Sequence, residues 1–110
     1  MSNELENKIR FNSLLDIYGL LLTNTQQKMI SLYYGEDLSL GEISEIEGIS
    51  RNAVFDSIKK GTTLLESFES KLHLLEKEER MNTFFDELKK ENLTKEQLEL
   101  LNRIIEKEHE

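Results

Sequence analysis

The sequence predicts an all-α protein, a helix-turn-helix bundle with a helical extension at its carboxyl end. Three observations predict this class. The 110 residues include no Pro and only five Gly, so little interrupts a helical hydrogen-bond ladder. Leu, Glu and Lys, which lose little side-chain freedom in a helix, are abundant. Apolar residues recur every three or four positions along most of the chain, as they do on one face of a helix.

The amino-terminal part predicts two amphipathic helices. The first spans residues 5–22, where apolar side chains share one face and polar side chains the other. Thr23 and Gln26 then have the spacing of a capping box, in which each side chain satisfies a backbone N–H of the other residue. They open a second helix that ends with Tyr33 and Tyr34. We interpret this aromatic pair as core and rim residues rather than as a platform for unpaired bases.

The centre of the chain, residues 39–60, predicts a helix-turn-helix. Ser39 and Glu42 form a second capping box at the start of the first motif helix. Gly48 can adopt the left-handed conformation that ends this helix at little cost, and Ser50 can cap the next one. The predicted motif helices span residues 40–47 and 51–60.

The second motif helix occupies the position of a recognition helix, which makes its polar residues the candidate nucleic-acid-binding site. The first turn of such a helix enters a major groove, so Arg51 and Asn52 are candidates for contacts to base edges. Lys59 and Lys60 are candidates for phosphate contacts. The same residues also suit a plain exposed helix, with a polar first turn for solubility and cations at the carboxyl end. The sequence leaves both interpretations open.

The charge balance argues against non-specific DNA binding. The chain has 22 Asp and Glu against 14 Lys and Arg, which gives a net charge of -8. A non-specific DNA binder gains its affinity from many Lys and Arg contacts to phosphate, and this chain offers few. A weak or dimer-dependent DNA binder is still compatible with this balance. An acidic exterior also suits a partner with a basic surface.

The chain beyond the motif predicts a helical arm. Gly61 follows the second motif helix and is expected to let this arm swing. Four apolar residues then recur at the spacing of a seam between packed helices. Such a stripe is either the inner face of a monomeric bundle or a dimer interface. Small helical domains often bury a stripe of this kind by self-association, so we expect a homodimer. The stripe consists of Leu65, Phe68, Leu72 and Leu75.

The carboxyl-terminal part predicts two more helical stretches. The charged run 76–80 has no apolar anchor and is interpreted as a solvated helix surface or a joint. An amphipathic stretch follows at 81–88, and Thr94 with Gln97 forms a third capping box before a terminal helix. We expect two parts, a helix-turn-helix domain with its arm over residues 1–80 and a carboxyl-terminal extension over residues 81–110.

The sequence offers little basis for catalysis or cofactor binding. It has no Cys, and therefore no disulfide and no thiolate metal site. No Gly-rich phosphate loop is present, and neither His73 nor His109 has a partner at metal-ligand or catalytic-triad spacing. We expect no enzyme activity, no cofactor and no metal. Because there is no signal peptide and no apolar run long enough for membrane insertion, we expect a cytoplasmic protein.

Four segments resemble one known family when they are taken together. The chain resembles the YlxM family of small bacterial proteins, and its central half is similar to region 4 of bacterial sigma factors, a helix-turn-helix that reads a promoter element. The resemblance is good from about Phe11 to Lys77 and weak beyond. The segments that carry it are residues 33–34, 38–43, 50–60 and 71–77.

This resemblance implies a fold, a pathway and partners. It implies a cytoplasmic all-helical protein, encoded beside the signal recognition particle GTPases and acting as a regulator or adaptor in co-translational targeting. The implied partners are the signal recognition particle protein or its RNA. The second hypothesis is a transcriptional regulator that binds duplex DNA. One departure concerns Glu47, which stands where the family has an apolar packing residue. Either Ile46 takes over that packing through a small rotation of the helix, or the motif is looser.

Overall fold

The computed structural model describes residues 3–108 of the chain, and this part is helical throughout, with short connecting turns. The all-α class is confirmed. His109, for which no partner was expected, lies outside the described residues. The helices are α1 (Glu4–Tyr18), α2 (Asn24–Ile30), α3 (Leu40–Glu47), α4 (Arg51–Leu72), α5 (Leu74–Lys89) and α6 (Lys95–Glu108).

All three predicted capping boxes are formed. In each box the N–H of the third helical residue donates to a hydroxyl, and the N–H of the capping residue donates to a carboxylate or amide oxygen. These local pairs fix the starts of α2, α3 and α6. They are Thr23 with Gln26, Ser39 with Glu42 and Thr94 with Gln97, at donor–acceptor distances of 3.0–3.1 Å.

The first two helices are shorter than the sequence predicts. Helix α1 ends at Tyr18, and a 3-10 turn over Gly19–Leu21 replaces its expected last turn. Helix α2 ends at Ile30 and is followed by a π-helical turn over Ser31–Gly35. The side chain of Asn12 donates to the carbonyl oxygen of Tyr34 at 3.0 Å, which ties this widened turn to α1.

Two apolar clusters hold residues 3–75 together. One lies between α1, α4 and the start of α5, and the other lies beneath α3 and the first half of α4. Helix α2 joins them, because Ile30 belongs to the first cluster and its neighbour Met29 to the second. The buried residues are Leu14, Tyr18, Leu22, Ile30, Leu65 and Leu75 in the first cluster, and Met29, Ile43, Val54 and Ile58 in the second.

The expected break after residue 60 is wrong, since α4 continues without interruption to Leu72. Gly61 lies buried in the middle of this helix, where α4 crosses α2. A Cβ atom placed on Gly61 would lie 2.6 Å from Cδ1 of Ile30 and 3.4 Å from Cβ of Gln26. Gly61 therefore does not free the arm. It allows two helices to approach each other closely.

A buried polar network sets the break between α4 and α5 instead. The hydroxyl of Tyr18 donates to Oε1 of Glu69 at 2.7 Å, and the N–H of Leu75 donates to the same oxygen at 3.0 Å. The N–H of Leu74 donates to the Tyr18 hydroxyl at 3.1 Å. His73, between the two helices, has a left-handed φ of 54°. Side chains from α1 and α4 thus satisfy the free N–H groups at the start of α5.

This network also affects the ionisation of Tyr18. Burial raises the pKa of its hydroxyl above 10.0, and the hydrogen bond to the Glu69 carboxylate raises it further. The N–H of Leu74 acts in the opposite direction but does not cancel these effects. Tyr18 therefore stays neutral well into the alkaline range.

The chain divides into two compact units, one ending at Leu75 and one beginning at Glu76. The boundary at 80/81 that the sequence suggests lies within α5 and stays a prediction. In the second unit, formed by the rest of α5 and by α6, Phe85 and Leu101 are buried. Across residues 3–108, no helix has the length and apolar character that crossing a bilayer requires.

Candidate functional site

Helices α3 and α4 form the predicted helix-turn-helix, and α2 packs beneath them. Ile43 and Val54 have no exposed surface, Ile58 is 6% exposed, and all three belong to one buried cluster with Met29 of α2. Burial of each such side chain contributes about 1.5–3 kcal/mol. Apolar packing therefore fixes the position of the second motif helix relative to the first.

The turn between the two helices has the predicted geometry. Gly48 ends α3 with a φ of 66°, in the left-handed region. The hydroxyl of Ser44 donates to the carbonyl oxygen of Ile49 at 2.5 Å, and the Ser50 hydroxyl accepts from the N–H of Ala53 at 3.0 Å. These bonds close the turn and present the first residues of α4 at its outer end.

The expectation that Ile46 replaces Glu47 in the packing is wrong. Ile46 is 62% exposed. Glu47 instead reaches α2, where its Oε1 lies 3.0 Å from Nζ of Lys28, and only 16% of its side chain is exposed. An ion pair thus takes the place of an apolar contact, and α3 needs no rotation.

Arg51 is exposed, as predicted, but its guanidinium lies back across the first turn of α3. A Cβ atom on Gly41 would lie 2.9 Å from Nη2 of Arg51 and 3.2 Å from its Cζ. The glycine leaves room for the guanidinium at this point. Arg51 is therefore placed to meet a partner where α3 and α4 come together, rather than on the outermost face of α4.

The other three candidate residues lie on the solvent side of α4. Asn52, Lys59 and Lys60 are all exposed. Nζ of Lys60 lies 3.0 Å from Oδ2 of Asp56, so one of the candidate cations is paired with an acid on the same helix. Asn52 and Lys59 have no such partner within residues 3–108. Of these three residues, Asn52 and Lys59 are therefore the ones whose side chains are free to contact another molecule.

Sequence reasoning missed Phe55, which is 53% exposed in the middle of this surface. Arg51, Phe55 and Lys59 are each four residues apart, so they form one stripe along α4, which we call the α4 stripe. The signal was present in the sequence, since Val54, Ile58 and Gly61 already fill the buried face of the helix. Two further apolar side chains of the motif are exposed, Ile46 at 62% and Ile49 at 37%.

The structure uses most of the predicted dimer seam inside its own chain. Leu65 is fully buried, Leu75 is 6% exposed, and Phe68 packs against the same apolar cluster with its ring 5.9 Å from that of Tyr18. Leu72 is 54% exposed. Of the four residues, this one presents most of its side chain to solvent.

A cleft of about 670 Å³ lies between the first half of α1 and the segment that leads into α3. Lys8 and Asp37 form an ion pair at 2.5 Å on its wall, and Tyr33 and Tyr34 contribute their rings. Burial raises the pKa of Tyr34, and the neighbouring Tyr33 adds to this effect. As expected, Tyr33 and Tyr34 are half-buried at the edge of the core.

The fold and the motif agree with comparisons to known proteins. A sequence profile described as "Putative helix-turn-helix protein, YlxM / p13 like", UPF0122, matches residues 5–104. The chain belongs to the UPF0122 family. The match continues past Lys77, where the resemblance seen in the sequence weakens, and it includes most of α5 and α6.

Individual UPF0122 proteins are similar over most of the chain. A UPF0122 protein of Latilactobacillus sakei is 48% identical over 87 residues, 79% of this chain and 77% of that protein. One from Pediococcus pentosaceus is 49% identical over 86 residues, 78% of this chain and 76% of that protein. One from Streptococcus pneumoniae is 40% identical over 109 residues, 96% of this chain and 99% of that protein.

Proposed function

We propose that this UPF0122 chain is a non-enzymatic cytoplasmic adaptor whose helix-turn-helix binds the protein component of the signal recognition particle and regulates co-translational targeting. The observation that carries the proposal is the α4 stripe, in which an aromatic side chain stands exposed between two cations. The pathway comes from the family resemblance. The stripe supports a protein partner.

The composition of the motif surface favours a protein over a duplex. Aromatic residues and Arg are enriched in protein interfaces, where a few of them supply most of the binding energy. The motif exposes Ile46, Ile49 and Phe55, and it places Arg51 at the junction of its two helices. Asp56 lies on the outer side of the same helix, where it would face a phosphate backbone. This mixture is unusual for a groove-reading helix.

Charge supports the same kind of partner. The net charge of -8 repels nucleic acid and attracts a basic protein surface, such as the RNA-binding domain of a ribonucleoprotein. The few cations of the α4 stripe then serve for orientation. The surrounding acidic groups supply the long-range attraction.

The test is a binding titration of the full chain against the purified signal recognition particle protein by isothermal calorimetry. Burying the exposed half of Phe55 is worth about 2–3 kcal/mol, so we expect Phe55→Ala to weaken the complex by roughly 30- to 150-fold. Leu20→Ala is the matched control, because Leu20 is 93% exposed and lies outside the motif. Equal affinity for both variants would refute the proposed surface, and absence of a complex with the wild-type chain would refute the adaptor function.

A DNA-binding transcriptional regulator is the second candidate, and the free side chains of Asn52 and Lys59 favour it. Asn52 can form the paired hydrogen bonds to adenine. With only Lys59 and Lys60 as candidate phosphate ligands, affinity per protomer should fall by about 12-fold between roughly 50 and 200 mM salt. A sequence-selective duplex complex that follows this salt dependence and is lost in Asn52→Ala would establish this function in place of the adaptor.

A further inference from the structure

The second unit is too small to hold itself together by its own apolar core. It begins at Glu76 and contains 35 residues, of which Phe85 and Leu101 are the buried apolar ones in the part that the structure describes. Units of fewer than about 40 residues usually need a disulfide, a metal or self-association to be stable. The chain has no Cys. A covering surface is therefore required.

Helix α6 has an apolar arc that is wider than its own chain covers. At about 100° per residue, its apolar positions extend over roughly 160° of the helix surface. The middle of this arc is Leu101, which is buried, whereas Leu98, Leu100 and Ile104 are 40%, 52% and 43% exposed. A helix with such a wide arc packs against two neighbours rather than one.

Helix α5 likewise has one buried and one exposed apolar side chain next to each other. Phe85 is 6% exposed, but its neighbour Phe84 is 53% exposed. The Phe84 ring stands at the edge of a shallow groove of about 300 Å³, which Arg80 and Glu87 also line. A groove of this size accepts a branched aliphatic side chain. We call Arg80, Phe84 and Glu87 the α5 edge.

The charges beside the two exposed apolar positions are complementary at the same spacing. On α5, Phe84 has a cation four residues before it and an acid three residues after it, Arg80 and Glu87. On α6, Leu100 has an acid four residues before it, Glu96, and a cation three residues after it. That cation is Arg103, and Glu96, Leu100 and Arg103 together are called the α6 edge.

The charges of the two edges are unpaired in the part of the chain that the structure describes. All four charged residues are exposed, and none forms an ion pair with any residue that the structure describes. Each edge therefore presents an apolar side chain between two free charges, and the signs on one edge are opposite to those on the other.

We propose that the α5 edge of one copy of this chain binds the α6 edge of a second copy. Arg80 pairs with the partner's Glu96, Phe84 packs against the partner's Leu100, and Glu87 pairs with the partner's Arg103. A twofold axis repeats the contact, so that both edges of both copies are covered. The interface differs from the seam at residues 65–75 and uses none of the residues of the α4 stripe.

The test exploits the fact that each contact joins two different helices. One full-length variant reverses the α5 edge, with Arg80→Glu and Glu87→Lys, and a second reverses the α6 edge, with Glu96→Lys and Arg103→Glu. In either variant alone both contacts become repulsive. In an equimolar mixture, a pair made of one copy of each variant has complementary charges at both contacts.

Sedimentation velocity on the wild-type chain should show a dimer. Each charge-reversed variant alone should show a dissociation constant raised at least about tenfold, and the mixture should regain the wild-type value. Phe84→Gln should also dissociate the dimer, whereas Leu20→Gln, at an exposed position of the first unit, should not. Far-ultraviolet circular dichroism establishes that each variant is helical.

Three results would overturn the proposal. The first is a wild-type chain that stays monomeric at high concentration. The second is a dimer that is dissociated by Leu72→Gln but not by Phe84→Gln, because the interface then lies on α4. The third is a mixture of the two charge-reversed variants that stays monomeric, since the α5 edge and the α6 edge then do not face each other.

Discussion

Replacing Gly61 by Ala tests the close crossing of α2 and α4. The new methyl group would lie 2.6 Å from Cδ1 of Ile30, well inside contact distance. Ile30 has no exposed surface, so its side chain cannot swing into solvent. Overpacking of this kind costs about 1–3 kcal/mol. Alanine gains about 1 kcal/mol in helix propensity over glycine. The net result is a loss of about 0–2 kcal/mol in the free energy of unfolding.

A double-mutant cycle separates these two effects. Ile30→Val deletes the Cδ1 atom that meets the new methyl group, and by itself costs about 0.5–1.5 kcal/mol. In the double variant the methyl group fills the vacated space, the overpacking disappears and the propensity gain remains. We therefore expect a stability close to that of the wild type, with a favourable coupling of about 1–3 kcal/mol between the two positions.

Urea unfolding followed by tyrosine fluorescence measures this coupling. The chain has three Tyr and no Trp, and Tyr18, Tyr33 and Tyr34 all lie in the first unit, so the signal reports on that unit alone. Thr63→Ala is the control. Thr63 is at an exposed position of α4, so this substitution measures the effect of helix propensity on the free energy of unfolding without any change in packing. If the effects of Gly61→Ala and Ile30→Val add within about 0.5 kcal/mol, the two side chains do not collide and the described crossing is wrong.

Three other substitutions test the polar network, the ion pair and the turn. Tyr18→Phe leaves the N–H of Leu74 without its acceptor and removes a donor from Glu69, which should cost about 1–3 kcal/mol in urea unfolding. Because the pKa of Tyr18 is raised in the folded chain, its stability contribution is complete below about pH 10 and is lost as the pH rises through the folded pKa. Tyr18→Phe should remove this alkaline loss and one late-ionising component of the phenolate absorbance, and an unchanged titration would contradict the assignment. Glu47→Leu should leave thermal stability unchanged or raise it, because Lys28 is 59% exposed and such a pair is worth at most about 1 kcal/mol; a large loss would show a stronger pair. Gly48→Ala should cost about 1–2 kcal/mol through backbone strain alone, since no atom lies within 4 Å of the added methyl group, and Gly48→Asn should cost less.

The parts of the fold that the sequence predicts are those with local causes. A capping box needs two residues three positions apart, and all three boxes are present where Ser or Thr and Glu or Gln have that spacing. The turn at Gly48 is likewise local, since it depends on one residue that tolerates a positive φ. The starts of α2, α3 and α6 follow from such short-range rules.

The errors have non-local causes. Gly61 suggests a helix end when it is considered alone, and only the contact with Ile30, 31 residues earlier, shows that it serves packing. The break at His73 has no local signal, because the groups that cap α5 belong to Tyr18 and Glu69. Helix ends that depend on such contacts cannot be predicted from the spacing of residues within a short segment of the sequence.

The candidate site was predicted in its location but not in its details. Exposure of Arg51, Asn52, Lys59 and Lys60 follows from helical periodicity. The position of the Arg51 guanidinium over Gly41 depends on how α3 and α4 cross, which the sequence does not state. Phe55 was overlooked because only the polar residues of the second motif helix were considered as candidates.

The hydrogen bond between Tyr18 and Glu69 has an evolutionary consequence. A carboxylate that is 7% exposed is tolerated in this core only while donors surround it. A family member with Phe at position 18 should therefore carry an uncharged residue at position 69, and the two columns should covary across related genomes. The pair of residues at positions 18 and 69 of each homologue would then indicate where its counterpart of α4 ends.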